Sequence, residues 1–259
     1  MTVPILACHG LRRDFRGFTA VEDFDLAVRE GSIHALIGPN GAGKTTVFNL
    51  LTRFLAVTAG TILLRGEDIT RLPAERVVQR GLVRSFQISA VFAHLSAFDN
   101  VRVALLARTG LEWQFWRSRQ VLEPFREEAM AHLATVGLDR DADTLAVALP
   151  YGRKRALELA TTLARDPAVL LLDEPTQGMG IDDVARVTEL IRVAARGRTV
   201  LMVEHNLKVV ATLADTITVL ARGRRLAEGS YAEVSQDPRV REAYLGHGGD
   251  QGHGGGAHA

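Results

Sequence analysis

Gly38-Pro39-Asn40-Gly41-Ala42-Gly43-Lys44-Thr45 is the stretch on which the reading of this chain turns. It satisfies G-x-x-x-x-G-K-[ST] in full, and it stands where that pattern has physical meaning. The apolar run Ile33–Ile37 before it reads as a buried strand, and the residues from Thr45 to about Leu55 read as a helix. The glycines let backbone N–H groups turn inward and approach an anion closely. The helix start adds the positive end of its dipole. Lys44 is placed to reach the β- and γ-phosphates of a nucleoside triphosphate, and the Thr45 hydroxyl to ligate Mg²⁺. The chain has only three lysines, Lys44, Lys154 and Lys208, against 31 basic residues in all, which makes a lysine at this position more telling.

The second element is Val169-Leu170-Leu171-Leu172-Asp173-Glu174-Pro175, whose first acid lies 129 residues beyond Lys44. A continuous apolar run marks a strand buried on both faces, and such a strand delivers Asp173 at its C-terminal end, the edge where open α/β sheets bind ligands. Asp173 suits the Mg²⁺ shell, and Glu174 suits the general base that polarises an attacking water.

Outward from these two landmarks, Ile5–Leu11, Phe24–Val28, Gly60–Leu64, Leu82–Phe86 and Thr199–Val203 have strand patterning. Asp182–Ala195 and Asn206–Leu213 have helix patterning, and Thr216–Leu220 with Arg225–Ala227 form a hairpin split by Arg222-Gly223. Residues from 87 to about 162 are mainly helical in pattern. Strands alternating with helices predict an α/β fold with a mostly parallel sheet. The closing stretch Gly246–Ala259 holds seven glycines and three histidines, His247, His253 and His258, and is expected to be disordered without a specific metal site.

The 259 residues carry 31 Lys+Arg against 30 Asp+Glu, a formal charge of +1, with no electrostatic footprint for nucleic acid. Cys8 stands alone, so an intrachain disulfide is excluded. The longest stretch free of Asp, Glu, Lys and Arg, Ser85–Phe98, is 14 residues, short of the roughly 20 that cross a bilayer as a helix. The first residues, MTVPILACHG, lack the basic region of a secretory signal.

With these residues assembled, the chain resembles the nucleotide-binding subunits of ATP-binding cassette (ABC) transporters, over nearly everything from Leu6 to Gly246. The resemblance implies a P-loop NTPase core with an N-terminal antiparallel β part and an inserted α-helical subdomain. The divisions expected are 1–86 and 157–245 for the ATP-binding core, 87–156 for the helical subdomain and 246–259 for the tail. It implies that Gln87 senses Mg²⁺ and the attacking water, that His205 is the switch contacting the γ-phosphate, and that Phe15 stacks on adenine, with Phe18 as a rival. Gly38 to Gly43, Lys44, Thr45 and Thr46 would hold the phosphates.

Leu149-Pro150-Tyr151-Gly152-Arg153 stands in the place of the family's Leu-Ser-Gly-Gly-Gln signature. Pro150 has no hydroxyl to donate, Arg153 replaces the glutamine, and Gly152 with the helix amides beyond it remains to meet an anion. Gly180 stands where most cassettes carry an aspartate. The Leu-Pro-Tyr-Gly variant, the stretch Leu111–Arg126 and the closing Tyr244-Leu245-Gly246 resemble the subgroup that imports branched-chain amino acids. Systems for urea or amide import, or for lipopolysaccharide export, are the related alternatives, and a soluble non-transport cassette protein is a more distant one. The resemblance further implies two ATP–Mg²⁺ sandwiched between two copies or one copy and a homologous partner. It implies membrane-spanning permease subunits, a periplasmic substrate-binding protein acting through them, no nucleic acid, and a peripheral place on the cytoplasmic face of the inner membrane.

Overall fold

The computed structural model describes residues 3–85, 91–109 and 124–245. Gln87, most of Leu111–Arg126 and the histidines of the tail lie outside the described residues.

Two sheets organise the chain. The first is antiparallel, in the order β2-β1-β4-β5, from β1 (Leu6–Phe15), β2 (Phe18–Val28), β4 (Ala59–Leu64) and β5 (Glu67–Asp68). The second has six strands in the order β10-β9-β3-β8-β7-β6, built from β3 (Ile33–Ile37), β6 (Leu82–Ser85), β7 (Val169–Asp173), β8 (Thr199–Val203), β9 (Thr216–Ala221) and β10 (Arg224–Gly229). All its pairings are parallel except β9 with β10. The expected α/β fold with an N-terminal antiparallel part is therefore present.

Strand alternation divides the interior in two. From β7, Leu170 and Leu172 enter one core, and Val169 and Leu171 the other. From β8, Val200 and Met202 go one way, and Leu201 and Val203 the other. The first core takes in helices α3 (Ala97–Arg108), α4 (Arg126–Thr135), α5 (Tyr151–Leu163), α6 (Ile181–Ala194) and α7 (Leu207–Leu213). The second lies between the antiparallel sheet and α1 (Lys44–Leu51), centred on the fully buried Phe24 and Phe48. A strand sandwiched this way must be apolar at every position, which is why β7 and β8 read as unbroken runs.

The remaining helices are short: α2 (Ala74–Gln79), α8 (Tyr231–Gln236) and α9 (Pro238–Leu245). Ser230 and Glu233 start α8 with a full capping box. The structure corrects several expected bounds. Helix α1 stops at Leu51, not about Leu55, because Thr52 caps it and Arg53 turns into the left-handed region at φ +62°. The first hairpin is longer than its apolar spacing suggests. Its solvated side carries polar residues: the Thr19 hydroxyl donates across it to Asp14, which also accepts from Arg12 on its own strand. Helix α5 runs unbroken across residue 156, and no described helix is long and apolar enough to cross a membrane.

Candidate functional site

The loop from residue 38 to 43 leaves the C-terminal edge of β3 and is held by hydrogen bonds of the chain itself. Ala42 N–H donates to Pro39 O (3.2 Å), and Gly223 N–H, from the β9–β10 turn, donates to Ala42 O (2.9 Å). Gly38 has φ +155°, and a Cβ there would lie 2.1 Å from the Leu220 carbonyl. Gly43 has φ +103°, and a Cβ there would lie 2.7 Å from the Ala20 carbonyl. Only glycine satisfies both positions. Asn40, Gly41 and Thr45 form the exposed rim, and Thr46 is half-buried.

Lys44 is buried at the first position of α1, and its Nζ donates to Gly38 O (2.8 Å) and Pro39 O (3.0 Å). Burial pulls its ammonium below the ordinary lysine range, while Glu174 and Asp173 pull the other way. A cation in a cradle of backbone suits an anion such as phosphate.

Asp173 ends β7, buried, two strands from β3. Its carboxylate is ion-paired with Arg84 of β6, whose Nη1 also donates to Asn49 Oδ1 (2.6 Å) on α1. Glu174, the next residue, has φ +47°, a left-handed conformation that costs a non-glycine residue about 1–2 kcal/mol, and its N–H donates to Val203 O (2.9 Å). Among the described residues no three His, Cys, Asp or Glu gather to hold a metal. The donors at hand, Asp173 and the Thr45 hydroxyl, suit Mg²⁺, which binds one or two protein groups and takes its other ligands from phosphate and water.

His205 follows β8, with its side chain half open to solvent, and Asn206 caps α7 by accepting from Lys208 N–H (3.1 Å). Phe15 and Phe18 face each other across the tip of the first hairpin, 40% and 66% exposed. The Arg13 guanidinium lies 4.6 Å from the Phe15 ring centroid, leaving Phe15 one open face. The same hairpin carries Ala20, whose carbonyl abuts Gly43.

Gly152 is placed differently. It lies in the first turn of α5, where a Cβ would sit 3.2 Å from Asp183 of α6, and neighbouring Arg153 is ion-paired with Asp141. This turn meets residues 141 and 183. The structure thus gathers the loop, Lys44, Asp173, Glu174 and His205 along one sheet edge, while Gly152 starts a helix and follows none of those strands.

Three participants escaped the sequence reading. Arg84 is a charge inside a buried strand, an anomaly that flags it. Glu204 follows an apolar strand just as Asp173 and Glu174 do. The phenol of Tyr244 of α9 lies close to the Gly38 backbone, and burial pushes it up to about 12. Nothing local in the sequence marks that contact.

Residues 21–177 match the family model described as ABC transporter, and residues 224–250 match that of the branched-chain amino acid ATP-binding cassette transporter. The chain is 38% identical over 253 residues to the high-affinity branched-chain amino acid transport ATP-binding protein LivG of Salmonella typhimurium, across 95% of this chain and 99% of that protein. It is 38% identical to BraF of Pseudomonas aeruginosa, of the same description, with the same coverage. It is 32% identical to the lipopolysaccharide export system ATP-binding protein LptB of Escherichia coli, over 93% and 97% of the two chains. Among solved structures, the ADP conformation of an ATP-binding cassette of an ABC transporter superposes with a TM-score of 0.83 at 26% identity, over 95% of this chain and all of that one.

Proposed function

The chain belongs to the ABC transporter family, and from that premise we propose that it is the ATP-binding and ATP-hydrolysing subunit of an importer for branched-chain amino acids. One observation carries the hydrolytic part. A buried lysine, parked on the carbonyls of its own loop, lies within the electrostatic reach of Asp173 and Glu174. The match of residues 224–250 and the similarity to LivG and BraF favour amino-acid import over lipopolysaccharide export.

In this scheme Lys44 leaves the Gly38 and Pro39 carbonyls for the β- and γ-phosphates, and inward N–H groups of the loop take the remaining oxygens. Thr45 and Asp173 hold Mg²⁺, which when bound offsets phosphate charge. Glu174 orients and deprotonates the attacking water, and His205 supports the γ-phosphate; Gln87 joins them at the metal and the water. Phe15, or Phe18, stacks on the base. Catalysis is positioning and charge stabilisation, since phosphoryl transfer asks little covalent work of the protein.

Gly152 starts a helix and does not follow any of the strands that end at the site, and in this scheme it completes the site of a second copy or a homologous subunit. ATP then closes the pair, and hydrolysis reopens it by removing the differential affinity. Closure reaches a permease through a groove of about 470 Å³ between the core and the helices, with exposed Phe54 and Phe92 and apolar Val78, Leu82 and Val103 on its walls. The protein is placed peripherally at the cytoplasmic membrane face, with a periplasmic binding protein acting through the permease.

The test is ATPase activity of the full chain with and without Mg²⁺, followed by uptake assays with its permeases in vesicles. Mg²⁺-dependent hydrolysis coupled to leucine, isoleucine or valine uptake is expected. Hydrolysis coupled instead to urea or amide uptake, or to lipopolysaccharide extraction, would keep the ATPase and reject the cargo.

A further inference from the structure

One residue before His205, strand β8 hands over to a carboxylate that the scheme above does not use. Glu204 is 0% exposed, yet it carries no counter-ion from Lys or Arg among the ion pairs of the described residues. Its oxygens are met by hydrogens from two different loops. Oε2 accepts from the Thr176 hydroxyl (2.7 Å), and Oε1 accepts from the His205 N–H (2.9 Å) and the Asn206 N–H (3.0 Å). The His205 ring Nδ1 lies 3.3 Å from the same Oε1. Thr176 is itself buried, two residues beyond Glu174.

Polar oxygens buried out of water are tolerated only when their lone pairs are engaged. Glu204 therefore cannot let go of either loop cheaply. Held at one end is the segment that leaves Glu174; held at the other is the backbone that carries the switch histidine. Among the described residues the Thr176 hydroxyl has no other hydrogen-bond partner, and the His205 side chain is half open to solvent. The bracket is distinct from the backbone tie between Glu174 N–H and Val203 O, which fixes the strand ends but not the loops beyond them.

We propose that Glu204 is a positioning residue that fastens the loop after Glu174 to His205, so that the two move as one unit when the site closes. The proposal rests on the hydrolytic reading above. It places the acid before the histidine in the reaction although it touches no nucleotide: it acts through the side chain that does.

Thr176→Val cuts the tether while keeping shape, and Thr176→Ser keeps the hydroxyl while losing a methyl group. ATPase kinetics of the full chain are measured for both, alone and in a His205→Ala background, beside the parent. The expected result is a drop in kcat of about tenfold for Thr176→Val with KM for ATP within about twofold, rescue by Thr176→Ser, and no further loss when Thr176→Val is added to His205→Ala. Glu204→Gln should stay within about threefold of the parent. Its carbonyl keeps the two N–H donors, and its amide donates to a Thr176 hydroxyl that turns to accept.

An unchanged kcat in Thr176→Val, a change confined to KM, equal losses in Thr176→Ser, or the same tenfold loss in the His205→Ala background would each overturn the bracket. A Glu204→Gln variant as slow as Thr176→Val would overturn it too, by assigning the effect to charge. If the parent hydrolyses ATP and His205→Ala does so measurably more slowly, the hydrolytic reading stands whatever Thr176 does. If the parent is inert, both fall.

Discussion

Two helices of this chain, α1 and α5, begin at positions read as anion-binding, and they are built in opposite ways. The start of α1 is walled in: its loop is threaded between the Ala20 and Leu220 carbonyls, closed by Gly223, touched by Tyr244 and filled by Lys44. The start of α5 has Pro150 as N-cap with no side-chain cap, an exposed Tyr151, and charged residues turned towards Asp141 and Glu158. One start is walled by several elements of the chain, while the other has no side-chain cap. The contrast teaches that rigidity here follows the number of independent elements around a helix start, since both helices carry the same dipole.

The sharpest way to break this comparison is at the finished end of the site. Glu174→Gln keeps the size of the side chain and removes its basicity, so kcat should fall by roughly 10²–10⁴-fold with nucleotide binding intact. With Mg²⁺ and ATP present, the stalled variant should elute at twice its nucleotide-free mass, because the N-terminal amides of α5 then sit on a partner's phosphate. Monomeric elution with ATP bound would show that α5 serves no second copy, and unchanged turnover would remove Glu174 as base.

Next in size is Lys44→Ala. Losing a charge-assisted contact to phosphate, worth about 1.5–3 kcal/mol, should weaken ATP affinity by roughly 10- to 100-fold in calorimetry. It should also empty the space now occupied at the Gly38 and Pro39 carbonyls. Normal affinity in this variant would refute the phosphate loop.

How much of this was legible follows the same divide. The loop, Asp173 and Glu174 could be proposed from the residues themselves because each follows an apolar strand at the ligand-binding edge of a sheet, while His205 could be proposed only through the family resemblance. Strand ends at Ile33–Ile37 and Thr199–Val203 matched to the residue, since a strand buried on both faces announces itself. The first hairpin was under-read because its exposed side is polar, and α2 because its six residues bury only Val77. The capping box of Ser230 and Glu233 was present in the sequence and went unused. Arg84, Glu204 and Tyr244 were missed for a deeper reason: each matters through a partner more than 25 residues away in the chain, Asp173, Thr176 and Gly38. Only the fold brings them together.

A smaller effect is expected from Gly38→Ala. Its Cβ would fall 2.1 Å from the Leu220 carbonyl, so either the loop or β9 must shift. Thermal unfolding should drop by several degrees, and ATP affinity by about tenfold, because the wall that orients the loop has moved. The same substitution at Gly41, where a Cβ meets nothing within 4 Å, should cost less, chiefly through its φ of +75°. Equal losses at both positions would mean that backbone freedom, and not the surrounding wall, sets the loop.

The least effect should come from Arg153→Gln, and that expectation separates the two helix starts most finely. Arg153 stands where the signature motif of the family carries glutamine, and its charge invites a role in nucleotide binding across the pair. The structure turns the guanidinium away, into an ion pair with Asp141 whose partners are 44% and 26% exposed. A pair this wet is worth at most about 1 kcal/mol and is screened by salt. Restoring glutamine should therefore shift the melting temperature by no more than a degree or two and leave the KM for ATP within about twofold. Asp141→Asn, which frees the arginine, should do more to the nucleotide than removing the arginine does. A tenfold change in KM on Arg153→Gln alone would mean that the guanidinium leaves Asp141 for the partner's ATP, and that the start of α5 recognises anions with a side chain after all.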